Sequence, residues 1–304
     1  MGYDGHNSSD GVTTILGMDP FLRAPFPGQP SAVCPADPRY PARFSDLVGP
    51  PRQLWVSGRL PDDADQLIAV VGSRNVSAAG AARVTDLASE LAMAGHGVIS
   101  GGALGIDAAA HKGALAAGGV TFAVLGCGID VVYPDRHADL FRRIAASGGV
   151  LSEYGPGVAP RPGQFPARNR LVAALARAVL VAESRRASGA LITARLASAM
   201  GRPVLAIPGS AGADRLLASG AAVAVETVSD VRAVLAGRSL ARTEAPSPFQ
   251  ALLSTLDGAP LAADLIARRL DLALADTLGL LLEAELSGLV ARTPDGKFEG
   301  RRGR

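Results

Sequence analysis

The stretch Leu67-Ile68-Ala69-Val70-Val71-Gly72-Ser73-Arg74 sets the pattern from which the fold can be predicted. Its five consecutive apolar residues, followed by a glycine turn, are typical of a short strand buried on both faces of a sheet. Alanine and leucine recur at helical spacing over residues 79–94. A buried strand, a turn and a helix together form the repeating unit of parallel α/β proteins.

The same alternation continues along the chain to about residue 237. Further strands are predicted at 97–100, 121–125, 149–152, 179–182, 204–207 and 222–225, and helices at 106–117, 137–147, 169–176 and 189–200. These units predict an α/β fold with a doubly wound, mostly parallel sheet that is covered by helices on both faces.

The segments on either side of this alternation suggest how the chain is divided. Residues 1–38 are rich in Gly, Pro, Ser and Asp and are predicted to form an irregular N-terminal arm. The main domain then spans 39–237, and a short apolar run at 54–58 is expected to be a strand near the edge of its sheet. Residues 238–248 have the composition of a linker.

Residues 249–299 have the pattern of a small winged-helix-like domain, and a basic tail follows at 300–304. Helices are predicted at 249–256, 262–270 and 275–287, and hairpin strands at 289–293 and 297–298. The third helix is the candidate recognition helix, yet it carries Asp276, Glu283 and Glu285 and no Lys or Arg. Because an acidic helix is repelled by DNA phosphates, the domain is predicted to be an interaction module.

Composition excludes few functions. The 304 residues include 30 Lys and Arg against 28 Asp and Glu, so any basic surface must be local. No apolar run approaches the ~20 residues of a membrane span and the first residues are polar, so a cytoplasmic protein is expected. Cys34 and Cys127 form no CxxC pair, which predicts two buried thiols and no metal site.

Two glycine turns are candidates for binding phosphate. Gly72, Ser73 and Arg74 follow the first strand and offer backbone amides, a hydroxyl and a guanidinium. Gly101 and Gly102 follow the second strand and open a helix, where such a turn presents unpaired amides to an anion. Each turn could instead serve only to let a helix pack closely against the sheet.

A local basic patch is predicted between residues 161 and 186, where six arginines accompany one acid. Phe165 stands beside Arg168, Asn169 and Arg170, and an aromatic ring among guanidinium groups suits stacking on an unpaired base. Alternatively, Phe165 is a core residue and the arginines are simply solvated. Ser188 and Gly189 could add backbone donors, although helix capping is the simpler role for the serine.

No catalytic residues or cofactor are predicted. The four histidines lie in the arm or on predicted helices, and none has a Ser or Cys nucleophile in a suitable context. No GxxxxGK[ST] run is present, and Gly126-Cys127-Gly128 lacks the rest of a dinucleotide-binding motif.

Taken in order, the motifs of this chain resemble those of the DNA-processing protein A family (DprA, also called Smf). The resemblance runs from about residue 40 to 236 and rests on Tyr40-Pro41, Gly72-Ser73-Arg74, Ser100-Gly101-Gly102, Gly105-Ile106-Asp107, Phe165-Pro166-Ala167-Arg168-Asn169-Arg170, Ser188-Gly189-Ala190 and Pro208-Gly209-Ser210. It implies an extended Rossmann-like fold, single-stranded DNA as ligand, a homodimer, and loading of the recombinase RecA in natural transformation, without a catalytic step.

The resemblance also implies which residues line the DNA groove: Arg74 assisted by Ser73, the turn at Gly101-Gly102, and Phe165, Arg168 and Arg170. Three features depart from the family pattern. Leu104 replaces a residue that is basic in many members, the loop after Ser210 is shortened to residues 211–214, and the arm is too short for the N-terminal domain that many members have.

Two other functions compete with this one. A nucleotide N-glycosidase would resemble the cytokinin-activating phosphoribohydrolases, but their Pro-Gly-Gly-x-Gly-Thr-x-x-Glu signature is absent. A ligand-sensing transcription regulator would read duplex DNA with its winged helix, which the acidic third helix argues against.

Overall fold

The computed structural model describes residues 29–185, 188–238, 248–257, 259–270, 272–286 and 289–300. The described residues up to 238 and those from 248 onward form two separate compact units. Most of the predicted arm and linker, and residues 301–304 of the predicted tail, lie outside the described residues.

The larger unit is built on a nine-stranded sheet in the order β1-β2-β6-β5-β4-β3-β7-β8-β9. Strands β3 to β9 are parallel, whereas β1 pairs with β2, and β2 with β6, in antiparallel fashion. The strands are β1 (Ser31–Val33), β2 (Leu54–Gly58), β3 (Ile68–Val71), β4 (Val98–Ser100), β5 (Thr121–Gly128), β6 (Gly149–Tyr154), β7 (Ala178–Val181), β8 (Val204–Ala206) and β9 (Val223–Ala224).

Helices cover both faces of this sheet. They are α1 (Ala78–Met93), α2 (Ile106–Ala116), α3 (Ala138–Ser147), α4 (Gln164–Leu175), α5 (Gly189–Ala199), α6 (Ala211–Ala218) and α7 (Val228–Leu235). Alternate residues of β5 show the two layers, because Phe122 and Val124 pack with α4 and α5 whereas Ala123 and Leu125 pack with α3. The predicted doubly wound α/β class is confirmed.

Three local predictions were wrong. The strand Ser31–Val33 lies in the segment expected to be an irregular arm, where it pairs with the outer edge of Leu54–Gly58. Leu54–Gly58 is therefore second from the edge of the sheet, which agrees with the expected position near the edge. Helix α4 begins at Gln164 rather than near 169, because Pro166 sits in its first turn, where a missing amide breaks no helical hydrogen bond. Cys34 is exposed, and only Cys127 is buried.

The strand order places a topological switch point between β3 and β7. From β3 the chain moves outward through β4, β5 and β6, then returns to lie on the other side of β3. The loops after β3 and β7 therefore diverge and leave a crevice at the carboxyl ends of the strands, which is where open α/β sheets bind ligands.

The smaller unit has three helices followed by a two-stranded hairpin. These are α8 (Pro248–Thr255), α9 (Ala263–Leu270) and α10 (Leu274–Leu286), followed by β10 (Val290–Arg292) and β11 (Phe298–Gly300). Leu252, Ile266, Leu281 and Phe298 form its core. This is the winged-helix arrangement that the sequence predicts. No helix among the residues described in either unit is long and apolar enough to cross a membrane.

One glycine fixes how closely α2 approaches the loop after β3. Gly105 has φ +77°, and a side chain there would overlap the carbonyl oxygen of Ser73. We expect Gly105→Ala to lower the free energy of unfolding by about 2–5 kcal/mol, from backbone strain together with overpacking. Urea denaturation measures this change.

Gly95→Ala provides the matched control. Gly95 has φ +85°, and nothing lies within 4 Å of a side chain placed there, so only the backbone penalty of about 1 kcal/mol applies. Equal losses in the two variants would contradict the close approach at Gly105.

Candidate nucleic-acid interface

A cleft of about 590 Å³ opens at the switch point between β3 and β7. Nine of the predicted site residues line it: Gly72, Ser73, Arg74, Gly101, Phe165, Arg168, Asn169, Ser188 and Gly189. The structure thus brings together residues that are more than 100 positions apart in sequence. Gly102 and Arg170 are not among the residues that line this cleft.

The most exposed part of the cleft combines two aromatic rings and two cations. The guanidinium carbon of Arg74 lies 5.3 Å from the ring centroid of Phe165, whose ring lies 5.4 Å from that of Tyr133. Arg74 and Arg185 are exposed, and neither forms an ion pair with any carboxylate in the described part of the chain. These side chains offer positive charge and a flat apolar surface to a ligand.

The other two residues of the first turn are used inside the protein. The Ser73 hydroxyl donates to the carbonyl of Asn75 at 2.7 Å and accepts from the Asn75 amide at 3.2 Å. A side chain at Gly72 would lie 2.5 Å from Ile106, so this glycine permits close packing of α2. Of this turn, Arg74 is the residue free to meet a ligand.

The glycine turn after β4 already holds an anion, the carboxylate of Asp107. One oxygen of Asp107 accepts from the Gly101 amide at 3.1 Å and from the Ala103 amide at 3.2 Å. Burial raises the pKa of this carboxyl, and the positive charge of Arg168 together with the amide hydrogen bonds opposes the rise. Two amides that the sequence offers to a phosphate are therefore occupied.

Arg168 lies beneath the same turn and is only 4% exposed. Its guanidinium donates to the carbonyl of Gly101 at 2.6 Å, and through a short hydrogen bond to that of Val124 in β5. A side chain at Gly101 would overlap this guanidinium, so the glycine makes room for it. Burial lowers the pKa of Arg168 from its ordinary value. Arg168 therefore joins α4 to the turn after β4 and to the neighbouring strand β5.

Gly102 and Arg170 are engaged elsewhere. A side chain at Gly102 would overlap the ring of Phe141, and the Gly102 carbonyl lies 3.0 Å from Nδ1 of His137. One guanidinium nitrogen of Arg170 lies 2.6 Å from both carboxylate oxygens of Glu153. Two residues after Arg168, the helix has turned this side chain toward a different neighbour.

The first turn of α5 forms the far wall of the cleft. Ser188 precedes the helix but does not cap it, because its hydroxyl lies 2.7 Å from that of Ser184. The Asn169 amide donates to the Gly189 carbonyl at 3.3 Å, and its oxygen accepts from Arg168. Arg186, part of the predicted basic patch, lies outside the described residues.

The structure shows the surroundings of two of the departures from the family pattern. Leu104 lines a small cavity of about 60 Å³ that shares Arg74 and Phe165 with the cleft. The shortened segment 211–214 is the first turn of α6, and the Gly212 amide donates to the Ser184 carbonyl.

Two residues of this site were not predicted as site residues, and a third was predicted only as part of the basic patch. Tyr133 packs against Phe165, Asp107 fills the glycine turn, and Arg185 of the basic patch lines the cleft. Of the two that were not predicted, Asp107 left a signal that could have been used, because a carboxylate in the first turn of a helix can accept hydrogen bonds from the amides just before it.

The fold and the cleft define a Rossmann-like α/β protein with a cationic, aromatic crevice at the strand ends, joined to a winged helix. The model of the DNA recombination-mediator protein A family matches residues 31–236, and that of the DprA winged helix domain matches residues 238–296. The chain belongs to this family.

Individual relatives agree with this assignment. Protein Smf of Synechocystis is 33% identical over 92% of this chain and 83% of its own length. A putative DNA processing protein DprA of Mycobacterium tuberculosis is 48% identical, over 56% of this chain and 46% of that protein. The structure of DNA processing protein A from Helicobacter pylori, described with its single-stranded-DNA-binding mode, aligns with a TM-score of 0.62 and 31% identity over 69% of this chain and 98% of that one.

The buried position of Arg168 and the exposed position of Arg74 predict different effects on stability. Arg168→Ala leaves two buried carbonyls without their donor and removes the cation beside Asp107, so we expect a loss of about 3–5 kcal/mol. Arg74→Ala should change the unfolding free energy by less than about 0.5 kcal/mol. Chemical denaturation of both variants tests this, and equal effects would contradict the assignment.

A buried histidine beside the site predicts a dependence of stability on pH. Nδ1 of His111 lies 2.8 Å from the Thr121 hydroxyl, whose hydrogen is donated to Val98, so Nδ1 must carry a proton and donate. Nε2 is buried without a hydrogen-bond partner among the described residues, and burial lowers the pKa of His111 to about 3. The folded protein therefore holds this ring neutral at pH values where the unfolded chain protonates it.

Because the unfolded state binds the extra proton between pH about 6.5 and 3, stability should fall by about 1.4 kcal/mol per pH unit as the pH drops through that range. His111→Gln should remove this component of the slope, as measured by urea denaturation at several pH values. A slope identical in variant and wild type would show that His111 does not titrate in this way.

Proposed function

We propose that the cleft binds single-stranded DNA. The observation that supports this most directly is the guanidinium of Arg74 over the partly exposed ring of Phe165, with Arg185 lining the same cleft. Neither arginine forms an ion pair with a carboxylate of the described residues. An unpaired base can stack on such a surface, whereas the bases of a duplex are already stacked on one another.

The backbone of the strand would be held by charge. Arg74 and Arg185 are the exposed cations among the described residues that line the cleft, and the start of α5 lines the same space. Phosphates are stabilised at helix N-termini and beside guanidinium groups, without regard to base sequence. The relative from Helicobacter pylori, which has a single-stranded-DNA-binding mode, supports this proposal.

In this mechanism Arg168, Asn169 and Asp107 position the site. Arg168 and Asp107 hold the carbonyl and the amide of Gly101, and Asn169 links Arg168 to the start of α5. The walls of the cleft are thus fixed before a strand binds, which limits the ordering that binding requires. This assignment revises the direct DNA contact that the family resemblance implies for Arg168.

The wider role follows from the family. We propose that the protein acts in the cytoplasm as a homodimer that passes single-stranded DNA to the recombinase RecA during transformation, with no catalytic step of its own. Membership of the recombination-mediator family supports this. Among the described residues that line the cleft, Asp107 is the one acid, and it is buried and bonded to backbone amides, which leaves it poorly placed to act as a general base.

The test is fluorescence anisotropy with a labelled thymidine oligonucleotide and its duplex across a salt series. We expect the wild type to prefer the single strand, and Arg74→Ala to weaken binding about tenfold and to lower the slope of log K against log salt by about 0.7. Phe165→Leu should weaken binding with little change in that slope, because it removes stacking and no charge.

Arg83→Ala is the matched control, since Arg83 is an exposed arginine of α1 that does not line the cleft. Its loss changes net charge equally and should leave affinity within about twofold. The proposal fails if duplex and single strand bind alike, or if Arg74→Ala and Arg83→Ala have the same effect.

A further inference from the structure

Helix α10 of the winged-helix unit carries an exposed apolar stripe beside its buried one. Thr277, Leu281 and Ala284 are buried, and the two apolar residues among them belong to the core of the unit. About a quarter turn around the helix axis, Leu274, Leu278 and Leu282 are 49%, 47% and 57% exposed. Because apolar stripes of helices are normally buried, this second stripe lacks a partner among the described residues.

Exposed leucines are concentrated in this short segment of the chain. Ten large apolar side chains are exposed among the described residues, and five of them lie between residues 265 and 282: Leu265, Leu272, Leu274, Leu278 and Leu282. The other five are scattered along the larger unit. Single exposed leucines are ordinary, whereas a clustered apolar patch on a small domain marks a binding surface.

Glycine at position 279 points to the shape of the partner. Gly279 lies inside α10, where glycine lowers helix stability by about 1 kcal/mol relative to alanine. Nothing lies within 4 Å of a side chain placed there, so packing inside the described chain does not require it. Ala275 lies one turn earlier, so two small residues stand beside Leu278 and Leu282 on the exposed part of the helix, which suits the close approach of another helix.

The charges beside this face select among partners. Asp276, Glu283 and Glu285 are exposed on α10, and the helix has no Lys or Arg. DNA is disfavoured, because acids repel phosphates and leucine offers no donor to a base edge. A second copy of the same helix is disfavoured as well, since parallel pairing sets Glu283 against Glu283 and antiparallel pairing sets Asp276 near the glutamates.

We propose that the exposed face of α10 binds a helix of another protein that carries an apolar stripe flanked by Lys and Arg. Such a helix covers Leu278 and Leu282, crosses closely at Gly279, and pairs its cations with Glu283 and Glu285. Those two acids lie in the last turn of α10, where a cation also interacts favourably with the helix dipole. This surface belongs to the smaller unit and is independent of the DNA-binding proposal.

The experiment uses the full chain and two synthetic helical peptides with the same leucine stripe. One peptide has lysines beside the stripe and the other has glutamates at the same positions. By fluorescence anisotropy we expect the lysine peptide to bind and the glutamate peptide to bind at least about tenfold more weakly. The double variant Leu278→Ser/Leu282→Ser should weaken the lysine peptide at least about tenfold.

A charge-reversed variant tests whether the acids of α10 select the charge of the partner. Glu283→Lys/Glu285→Lys should exchange the preference, so that the glutamate peptide becomes the tighter ligand. Met93→Ser, which changes an exposed apolar residue of α1, is the matched control and should leave both affinities unchanged. Circular dichroism verifies that each variant is folded.

Several outcomes would overturn the proposal. They are failure of both peptides to bind, no exchange of preference after charge reversal, and undiminished binding by the double serine variant. Light scattering gives another: self-association of the wild type that the double serine variant abolishes would assign this face to a second copy. Loss of duplex binding in that variant would assign it to DNA.

Discussion

The cleft depends on the burial of one guanidinium group. Arg168 reaches from α4 and donates to the carbonyl of Gly101, just after β4, and to that of Val124 within the neighbouring strand β5. A buried arginine is stable only when its donors are satisfied and a negative charge lies near, and here the Asp107 carboxylate supplies that charge. The absence of a side chain at Gly101 makes room for the whole arrangement.

This arrangement separates the groups that build the site from those that can meet a ligand. Asp107 saturates two amides of the glycine turn, and Ser73 bonds to its own loop. What remains open is the pair Arg74 and Phe165, with Arg185 and the first turn of α5. A site of this kind binds through charge and stacking, and both act on any single strand regardless of its sequence.

The winged-helix unit differs from the cleft in the chemistry of its exposed surface. Its third helix is expected to enter a DNA groove in proteins that use this fold to read duplexes. Here the exposed side of α10 presents leucines, a glycine and acids. A shared fold therefore carries a surface with different chemistry, because function depends on the side chains at a site and not on the fold.

The sequence by itself determined the fold class, because strand and helix periods and glycine turns are local signals, and it also located the winged helix. It placed the candidate site at the ends of the first strands for the same reason. It could not identify Ser31–Val33 as a strand, since three residues carry no period and the strand exists only through pairing with Leu54–Gly58.

Only the tertiary structure decided which arginine does what. Arg168 and Arg170 are two residues apart in one motif, yet the helix directs the first beneath Gly101 and the second to Glu153. Arg74 stays free because no carboxylate among the described residues reaches it. The role of a charged side chain depends on burial and on partners distant in sequence, and those are set by the packing of strands and helices, not by the motif that contains it.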